Sequence, residues 1–437
     1  MGLVLLCAAA LAAPASAPRP TAGHTISVTD LGAKGDGATN NTAHFRAAVA
    51  ALQAQGGGTL RIPPGNFTTG GFNLTSNMVL RLEEGAVIAG IQPASPEAAV
   101  YDFPLVQKLP SFGNGYGHQA LVQGWGLTNV TIEGSGTIWG GGDIWWEWFG
   151  YPWHGPQRKD RCLHGRPYTI HLHACTGVTL RDAHVMRSPF WTVHLSYSHQ
   201  ILVERLHVVT NDTATGAPAL PGRLAQPPAT SQPCNADGID IDSSTHVHVR
   251  DSVFWTHDDS IALKSGTNWF GRHASRPTEH VLVENCKAES LDGAVVIGSE
   301  MSGGVNNVTI SGLDIHKAGF AFWIKSERGR GGVVRDITFD KATLHTTAGV
   351  VAGRRVISLD MYCEYSTGLS PPLPSDADRC CQQTTKACRR ATGPPRRSSK
   401  DPSSSRTLPC STRRLRRPSA RRHPRRTSPR RGPEDRC

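Results

Sequence analysis

The chain has 437 residues, of which 38% are hydrophobic and 19% are charged, so it can bury a sizeable core and is neither a coiled coil nor a highly charged disordered chain. Its formal net charge of +11 would suggest a nucleic-acid partner. The excess of positive charge is confined to residues 366–437, which contain 19 Lys and Arg but only 5 Asp and Glu. Residues 1–365 contain 27 basic and 30 acidic residues. We therefore expect no nucleic-acid partner for the body of the chain.

The N-terminal segment resembles a secretory signal peptide over residues 1–17. An apolar run from Leu3 to Ala12 is too short to span a bilayer, which takes about 20 residues, and Ala15-Ser16-Ala17 forms a small-residue cleavage pattern. No later segment is apolar enough for a membrane span. We expect a secreted, extracellular protein without a membrane partner. Asn-x-Ser/Thr sites that agree with export occur at Asn40, Asn66, Asn73, Asn129, Asn211 and Asn307.

Two features precede the repetitive part of the chain. An amphipathic pattern predicts a helix over Thr42–Ala54, which would cap the N-terminal end of the core. An aromatic run follows at 145–149, with Tyr151 and Trp153 close behind; it could stack on sugar rings or pack against the fold. The body of the chain, between the signal segment and residue 366, contains five cysteines, and their wide spacing suggests one or two disulfides of unassigned pairing and a spare thiol.

Short β-type triplets recur through the body at spacings between 23 and 48 residues. They begin at Val130, Val178, Ile201, Val247, Val281, Val308 and Ile337. In four repeats a second strand follows 14 residues later, as from Val247 to Ile261, and a Pro/Gly-rich insertion at Thr210–Pro233 delays one of them. Helices after each strand are missing, which excludes TIM-barrel and Rossmann folds. The pattern predicts an all-β fold, a single-stranded right-handed parallel β-helix over residues 24–365 with two strands per repeat.

The repeat register aligns three carboxylates. Asp237 lies two residues before Ile239, Asp259 lies two before Ile261, and Asp258 is adjacent. Like charges at this spacing raise the pKa of at least one carboxyl, which gives the acid and the base that glycosidic hydrolysis needs. The alternative is an ordinary solvated turn. Because neighbouring strand residues face opposite sides, both members of the Asp-Asp pair can serve one cleft only from the turn before the strand.

Two lysines share a second register position. Lys264 lies three residues after Ile261, and Lys325 lies three after Phe322. They would form a cationic stripe beside the carboxylates, suited to an acidic sugar, or they are two ordinary surface lysines.

Residues 366–437, rich in Pro, Ser and Arg, lack apolar periodicity and are predicted to be disordered. Three alternatives stay open for them: a polyanion-binding arm, a solvated tail, or a sequence out of frame.

Several motifs, in order, resemble glycoside hydrolase family 28, the polygalacturonases, in its plant and bacterial branch. The resemblance extends from about residue 24 to 362. The segments that show it are Ile26–Asp36, Gly57–Gly65, Asn235–Asp240, His257–Ala262, Ile297–Gly304 and Ile324–Gly332. The family implies a pectate-lyase-like β-helix solenoid, secretion, no metal and no cofactor. It also implies hydrolysis of α-1,4-galacturonan with inversion, and we expect a monomer acting on pectin or polygalacturonate.

Carried onto this sequence, the family pattern makes Asp258 the general acid, and Asp237 and Asp259 the pair that activates water. Inversion would agree with widely spaced carboxylates. Lys325 would bind the substrate carboxylate, and Asn235 and Lys264 join it as expected substrate-binding residues.

Two departures from the pattern fall in the expected substrate site. Asp292 stands where the family has a histidine that supports the acid, and Trp323 stands where it has an arginine that grips the uronate. Losing a cation removes bidentate recognition of a carboxylate, and an added acid repels an anionic substrate. The pattern also stops after Tyr362, so the last coils are expected to be incomplete, with exposed core and an open sheet edge.

Three hypotheses follow. The first is an inverting polygalacturonase, with activity reduced by the two departures. The second is a catalytically weakened wall-polysaccharide binder on the same fold. The third, a calcium-dependent pectate lyase, needs a calcium site and a basic arginine, and the aspartate set argues against it.

Overall fold

The computed structural model describes residues 23–109, 115–149, 162, 164–210, 233–345 and 356–361. Outside these ranges lie the predictions for the signal peptide at 1–17, the inside of the insertion at 211–232, and the tail at 366–437. Tyr151, Trp153 and Cys363 also lie outside them. Within the described ranges, each helix is too short or too polar to cross a membrane.

The described residues form thirty strands, numbered β1 to β30 along the chain, and twenty-eight of them build three parallel sheets. Sheet A contains β1 (Thr25–Ser27), β2 (Gly58–Ile62), β5 (Met78–Leu82), β10 (Thr128–Glu133), β13 (Thr176–Arg181), β16 (His199–Glu204), β19 (Thr245–Arg250), β22 (Thr278–Glu284), β25 (Val305–Ser311) and β28 (Val334–Asp340). Sheet B contains β3 (Gly65–Thr69), β6 (Ala86–Gly90), β11 (Thr137–Trp139), β14 (His184–Met186), β17 (His207–Val209), β20 (Val253–Thr256), β23 (Lys287–Ser290), β26 (Asp314–Lys317) and β29 (Thr343–Leu344). Sheet C contains β4 (Phe72–Asn73), β9 (Val122–Trp125), β12 (Ile170–His173), β15 (Val193–Ser196), β18 (Ile239–Asp242), β21 (Ile261–Lys264), β24 (Gly293–Gly298), β27 (Phe320–Lys325) and β30 (Ile357–Asp360).

Each coil of the chain contributes one strand to each sheet, so the fold is the predicted right-handed parallel β-helix. The recurring triplets stack in register along sheet A, where Val178 pairs with Ile201 and Val247 pairs with Val281. The 14-residue offset leads from sheet A to sheet C, as predicted. The number of strands per repeat was wrong, because the structure has three. The missed strand belongs to sheet B and follows a corner of only two residues.

The remaining elements are short. The antiparallel pair is β7 (Leu105–Gln107) with β8 (Tyr116–His118), and a 3₁₀ turn covers Val28–Leu31. The helices are α1 (Thr42–Ala54), α2 (Ala99–Asp102), α3 (Gly142–Phe149) and α4 (Asn268–Ala274). The bounds predicted for α1 are confirmed. Its Phe45 is fully buried and packs on Phe72 of β4 at a ring-centroid distance of 4.9 Å, so the helix covers the N-terminal end of the core.

At the other end, β28, β29 and β30 are the last strands of their sheets within the described ranges. Ile357 pairs with the buried Phe322, yet it is 58% exposed, and Leu359 is 69% exposed. These apolar side chains continue the interior columns of sheet C, so the solenoid presents core-type residues at this end.

The expectation of disulfides fails at two cysteines. Cys175 and Cys286 are buried free thiols, and their Sγ atoms each lie 3.3 Å from a carbonyl oxygen two residues earlier, at His173 and Glu284. Both occupy interior positions of the solenoid, where a thiol packs as a small apolar group.

Candidate active site

The three predicted aspartates meet at the edge where two neighbouring strands of sheet C begin. Asp237 precedes β18, and Asp258 and Asp259 lie in the turn before β21. Ile239 pairs with Ile261, as the register predicts, and the Gly238 amide donates to the Asp259 carbonyl at 2.9 Å. The turn removes the strand alternation, so both members of the Asp-Asp pair reach the same place. One carboxylate oxygen from each of the three aspartates lies within 4.8 Å of the others.

The predicted inversion has a geometric counterpart in the separation of the carboxyl groups. An inverting pair is ordinarily about 6.5–9.5 Å apart, and a retaining pair about 5–5.5 Å. In this cluster one oxygen of each carboxylate lies within 4.8 Å of the others, which is a distance between selected atoms and not between whole groups. The stereochemistry of the reaction therefore rests on the family resemblance and not on this separation.

Asp258 is the most accessible of the three, since it is half-buried whereas Asp237 and Asp259 are 2% and 1% exposed. Its two oxygens accept the backbone amides of Asn235 at 3.2 Å and of Asp259 at 3.0 Å. The Asn235 side chain accepts in turn from the Arg166 guanidinium at 2.8 Å. These contacts fix the carboxyl group while leaving it open to a ligand.

A glycine makes room for this cluster on the next coil. Gly293 occupies the position that Asp237 and Asp259 hold on the two preceding coils. A Cβ atom there would lie 2.2 Å from Val296 Cγ2 and 3.3 Å from an oxygen of Asp259. A larger residue would therefore displace the buried carboxylate.

Lys264 lies beneath the aspartates, where it is 3% exposed. Its Nζ is 3.0 Å from Glu300, 3.6 Å from Asp240 and 3.7 Å from Asp237. Burial alone would lower the pKa of this ammonium and raise that of Glu300, but the opposite charges prevail. The pKa of Lys264 is raised, and Lys264 and Arg330 hold the pKa of Glu300 far below its usual range.

Lys325 occupies the same register position as Lys264, two coils further along sheet C. Its Nζ is 2.8 Å from Asp259 and 3.8 Å from Asp292, and it lies 4.5 Å from the ring centroid of Trp323. The two departures from the family pattern therefore both lie against this lysine. Three close carboxylates could also hold a divalent cation, but the two lysines already supply positive charge to the cluster.

Burial is the main cause of the raised pKa values in the cluster. It raises the pKa of Asp237 well above the usual range, with help from Asp240 and Asp258. It raises the pKa of Asp259 to about 7, against the opposing charge of Lys325. These shifts favour the protonated form on the buried pair, whereas the expected mechanism places the donated proton on Asp258.

A cavity of about 470 Å³ is connected to the cluster through two of its lining residues, Asn235, whose backbone amide donates to Asp258, and Glu300, which pairs with Lys264. Its wall includes Tyr168, Trp191, Arg166, Asn235 and Glu300, together with residues of the β7–β8 hairpin. A volume of this size, with aromatic walls and a few convergent polar groups, is typical of a pocket for a small ligand or a sugar unit.

The sequence analysis missed Arg166, Asp240 and Glu300. A signal for Asp240 was present, because Ile239-Asp240-Ile241-Asp242 alternates in a strand whose apolar residues point into the core. Asp242 then pairs with the buried His194, whose Nε2 lies 3.1 Å away. Arg166 and Glu300 come from connecting segments, where no period places a side chain.

The aromatic run at 145–149 belongs to α3. Trp145 is completely buried and contacts Trp148 at 5.3 Å, so its packing role is confirmed and a sugar platform at that residue is wrong. Phe149 lines the cavity, with the Arg166 guanidinium 4.0 Å from its ring centroid.

The fold is a parallel β-helix with a cluster of three carboxylates where two strands of sheet C begin. The chain belongs to the family described as Glycosyl hydrolases family 28, whose pattern matches residues 56–364. The similarity suggested by the sequence motifs is thereby confirmed.

Relatives within this family come from plants and bacteria. A probable polygalacturonase of Vitis vinifera is 33% identical over 333 residues, covering 74% of this chain and 61% of the relative. An exopolygalacturonase of Thermotoga maritima superposes with a TM-score of 0.66 at 27% identity, covering 79% of this chain and 77% of that one. A polygalacturonase of Erwinia carotovora, at 22% identity and a TM-score of 0.59, shares the fold over 80% and 82% of the two chains. The chain spans 55–61% of the length of three of the curated relatives that it matches.

Proposed function

We propose that the protein hydrolyses α-1,4-galacturonosyl linkages of pectin or polygalacturonate. The observation that carries this proposal is the cluster of Asp237, Asp258 and Asp259, with one lysine against each buried carboxylate and with Asn235 connecting Asp258 to a sugar-sized cavity. Hydrolysis needs a proton for the leaving oxygen and a base for the water, and the cluster offers both.

In the proposed reaction, Asp258 donates its proton to the glycosidic oxygen as the bond to C1 breaks. A water held by Asp237 and Asp259 attacks C1 from the opposite face and gives its proton to that pair. Asp258 suits the first step because it is the accessible member of the three. The buried pair suits the second because its raised pKa values make it a stronger base than an exposed carboxylate, and Lys264 and Lys325, 3.7 Å and 2.8 Å away, oppose the effect of burial and stabilise the ionised form that accepts the proton.

The substrate carboxylate would bind at Lys325, next to Trp323 and with Asn235 lining the cavity. Trp323 can offer the face of a ring to a sugar but cannot form the paired hydrogen bonds of an arginine. Lys264 is enclosed by three carboxylates. Its proposed role is therefore to hold Asp237 in position, and it does not contact the sugar directly.

A second candidate is a polysaccharide-binding protein with weakened catalysis. It is favoured by Asp292, whose carboxylate lies 3.8 Å from the Lys325 ammonium and competes there with the substrate. Binding of galacturonan without release of reducing ends would support this candidate over the first.

The test is a reducing-end assay on polygalacturonate with purified full-length protein, with and without a chelator. We expect hydrolysis that resists the chelator and is lost, by a factor of about 1,000 or more, in Asp258→Asn, since a catalytic acid and its cluster supply several powers of ten. Asp251→Asn, a turn aspartate of sheet A, is the matched control and should keep full activity. Unsaturated products would indicate a lyase, and turnover retained in Asp258→Asn would refute the acid assignment.

We also propose secretion and a monomeric state. The leader-like residues 1–17 and the Asn-x-Ser/Thr sites support export, and Asn40 and Asn73 are exposed. Glycan analysis of the protein expressed in a secreting eukaryotic host would test this, and the appearance of unglycosylated protein inside the cells alone would contradict it.

A further inference from the structure

A second group of ligand-type side chains lies on sheet B, apart from the aspartates that precede sheet C. Asp314 and His316 belong to β26, on either side of Ile315, which is fully buried. Because alternate strand residues face opposite sides, both polar side chains point outward. His345 follows β29 directly, and its amide donates to the Ile315 carbonyl at 2.9 Å.

The register brings the two histidines side by side. Ile315 pairs with Leu344, so His345 is the cross-strand neighbour of His316, and their rings stack at 4.9 Å with an interplanar angle of 24°. The Asp314 carboxylate joins them, with one oxygen 2.6 Å from His345 Nε2 and the other 3.2 Å from His316 Nε2. One donor atom from each of the three residues lies within 4.8 Å of the others.

We propose that Asp314, His316 and His345 bind a divalent transition-metal ion such as Zn²⁺ on the outer face of sheet B. Imidazole nitrogen and carboxylate oxygen are ordinary ligands of zinc, at about 2.0–2.2 Å, which sets neighbouring ligand atoms roughly 3.3 Å apart in a tetrahedral site. The two observed separations, 2.6 and 3.2 Å, are close to that edge. The side chains are 34–47% exposed, so they can turn to the ion and leave a coordination position for water.

The Asp314 carboxylate supplies the negative charge of the site. Burial alone would raise its pKa, but hydrogen bonds and charge from the two histidines hold the pKa below its usual range, so the carboxylate is ionised at neutral pH. The neighbouring charged groups are Lys287 of β23, which pairs with Asp314 in the strand register, and Glu289 and Lys317, which pair with each other. Because a bound ion needs neutral imidazoles, we expect protons to compete with the ion at acidic pH.

Binding would join β26 to β29, the last two strands of sheet B in the described part of the chain. Strand β29 has two residues, so few backbone hydrogen bonds hold it. An ion that bridges it to β26 would stabilise the C-terminal end of the solenoid, and the proposed hydrolysis would not depend on it.

The test is a titration of the full-length protein with Co²⁺, whose visible absorption reports nitrogen and oxygen ligands, followed by competition with Zn²⁺. We expect one site that is weakened at least tenfold in the double variant His316→Ala/His345→Ala and in Asp314→Asn. The matched control is His246→Ala/His280→Ala, which removes another pair of neighbouring histidines, with ring centroids 4.8 Å apart and planes tilted by 33°, whose ring nitrogens contact Thr245 and Asn307.

Two further measurements make the result decisive. Zn²⁺ should raise the unfolding temperature of the wild type and of the control but not of the double variant, by linkage of binding to folding. Circular dichroism verifies that all variants are folded. Identical Co²⁺ isotherms for the wild type and the double variant would overturn the proposal, as would a thiolate charge-transfer band in place of the nitrogen and oxygen spectrum.

Discussion

Asp292 adds a negative charge to the site at a position where the family pattern has a histidine. It lies beside Lys325, and its charge is one of the causes that raise the pKa of Asp259 to about 7, after burial and Asp258. An acid here acts twice, since it competes with an anionic substrate for the lysine and it keeps a proton on the proposed base. The sequence alone predicted the first effect, but the second required the contact geometry.

Asp292→Asn should therefore improve the enzyme. Removing the charge lowers the pKa of Asp259, so the acidic limb of the pH profile of kcat/KM should move to lower pH. The KM for polygalacturonate should fall roughly threefold to tenfold, because one unit charge about 4 Å away is worth about 1 kcal/mol in a water-like medium. Steady-state kinetics between pH 4 and 8 would measure both effects.

Asp336→Asn is the control for this change, since it removes the same charge at a 66% exposed side chain of sheet A. It should leave the profile and the KM unchanged. A limb that stays in place, or moves to higher pH, in Asp292→Asn would show that Asp259 is not the group that must be ionised.

The residues of the site could be predicted from the sequence only where the coil period applies. Asp237 and Asp259 stack because each precedes a paired isoleucine, and that follows from the spacing alone. The surroundings of Lys264 do not follow from it, because Glu300 comes from a turn after β24. The spacing left open whether Lys264 is an ordinary surface lysine, and the structure shows it buried beside three carboxylates.

At the level of elements, the corners between sheets A and B explain why one strand per coil was missed. In six of the nine corners within the described residues, those after β13, β16, β19, β22, β25 and β28, the corner has two residues and the first has a left-handed backbone, with φ between 48° and 70°. These residues are Asp182, Arg205, Asp251, Asn285, Gly312 and Lys341. Only one is a glycine and none is a proline, so the usual markers of a turn are weak and strands A and B look continuous in the sequence.

Gly312→Ala tests the importance of this corner. Its φ is 70°, and an added Cβ would lie 2.8 Å from Asn285 Oδ1 on the preceding coil. We expect a loss of about 1–2 kcal/mol in the free energy of unfolding, the usual cost of a left-handed residue with a side chain. Denaturant titration would measure this loss.

Asp251→Gly provides the comparison, because it places glycine at an equivalent corner and should change the free energy of unfolding by less than about 1 kcal/mol. If Gly312→Ala and Asp251→Gly were equally harmless, the left-handed corner would not limit the stability of the coil.

For the molecule as a whole, the net charge says little, since the body is nearly neutral and many of its fully buried ionisable groups lie on one sheet. Sheet C gathers buried carboxyls with raised pKa values beside buried histidines with lowered ones. Burial raises the pKa of Asp242 to about 7, as it does for Asp259, and it lowers the pKa of His171 and His194 well below 6.5. These two sets respond to pH in opposite directions.

The stability of the protein should fall as the pH rises from 6.5 to 8. A carboxyl whose folded pKa is raised stabilises the fold below its unfolded value near 4, and it loses that contribution as the pH passes about 7. The histidines oppose this trend only below 6.5, where their unfolded forms take up protons, so the carboxyls alone act above it. Linkage gives a loss of roughly 1 kcal/mol for each of Asp242 and Asp259 across this interval. Urea unfolding at four pH values would show the slope, and Asp242→Asn should make it shallower without abolishing it, because Asp237, Asp240 and Asp259 also have raised pKa values. A midpoint that stays constant or rises between pH 6.5 and 8 would mean that these carboxyls are already ionised in the folded protein.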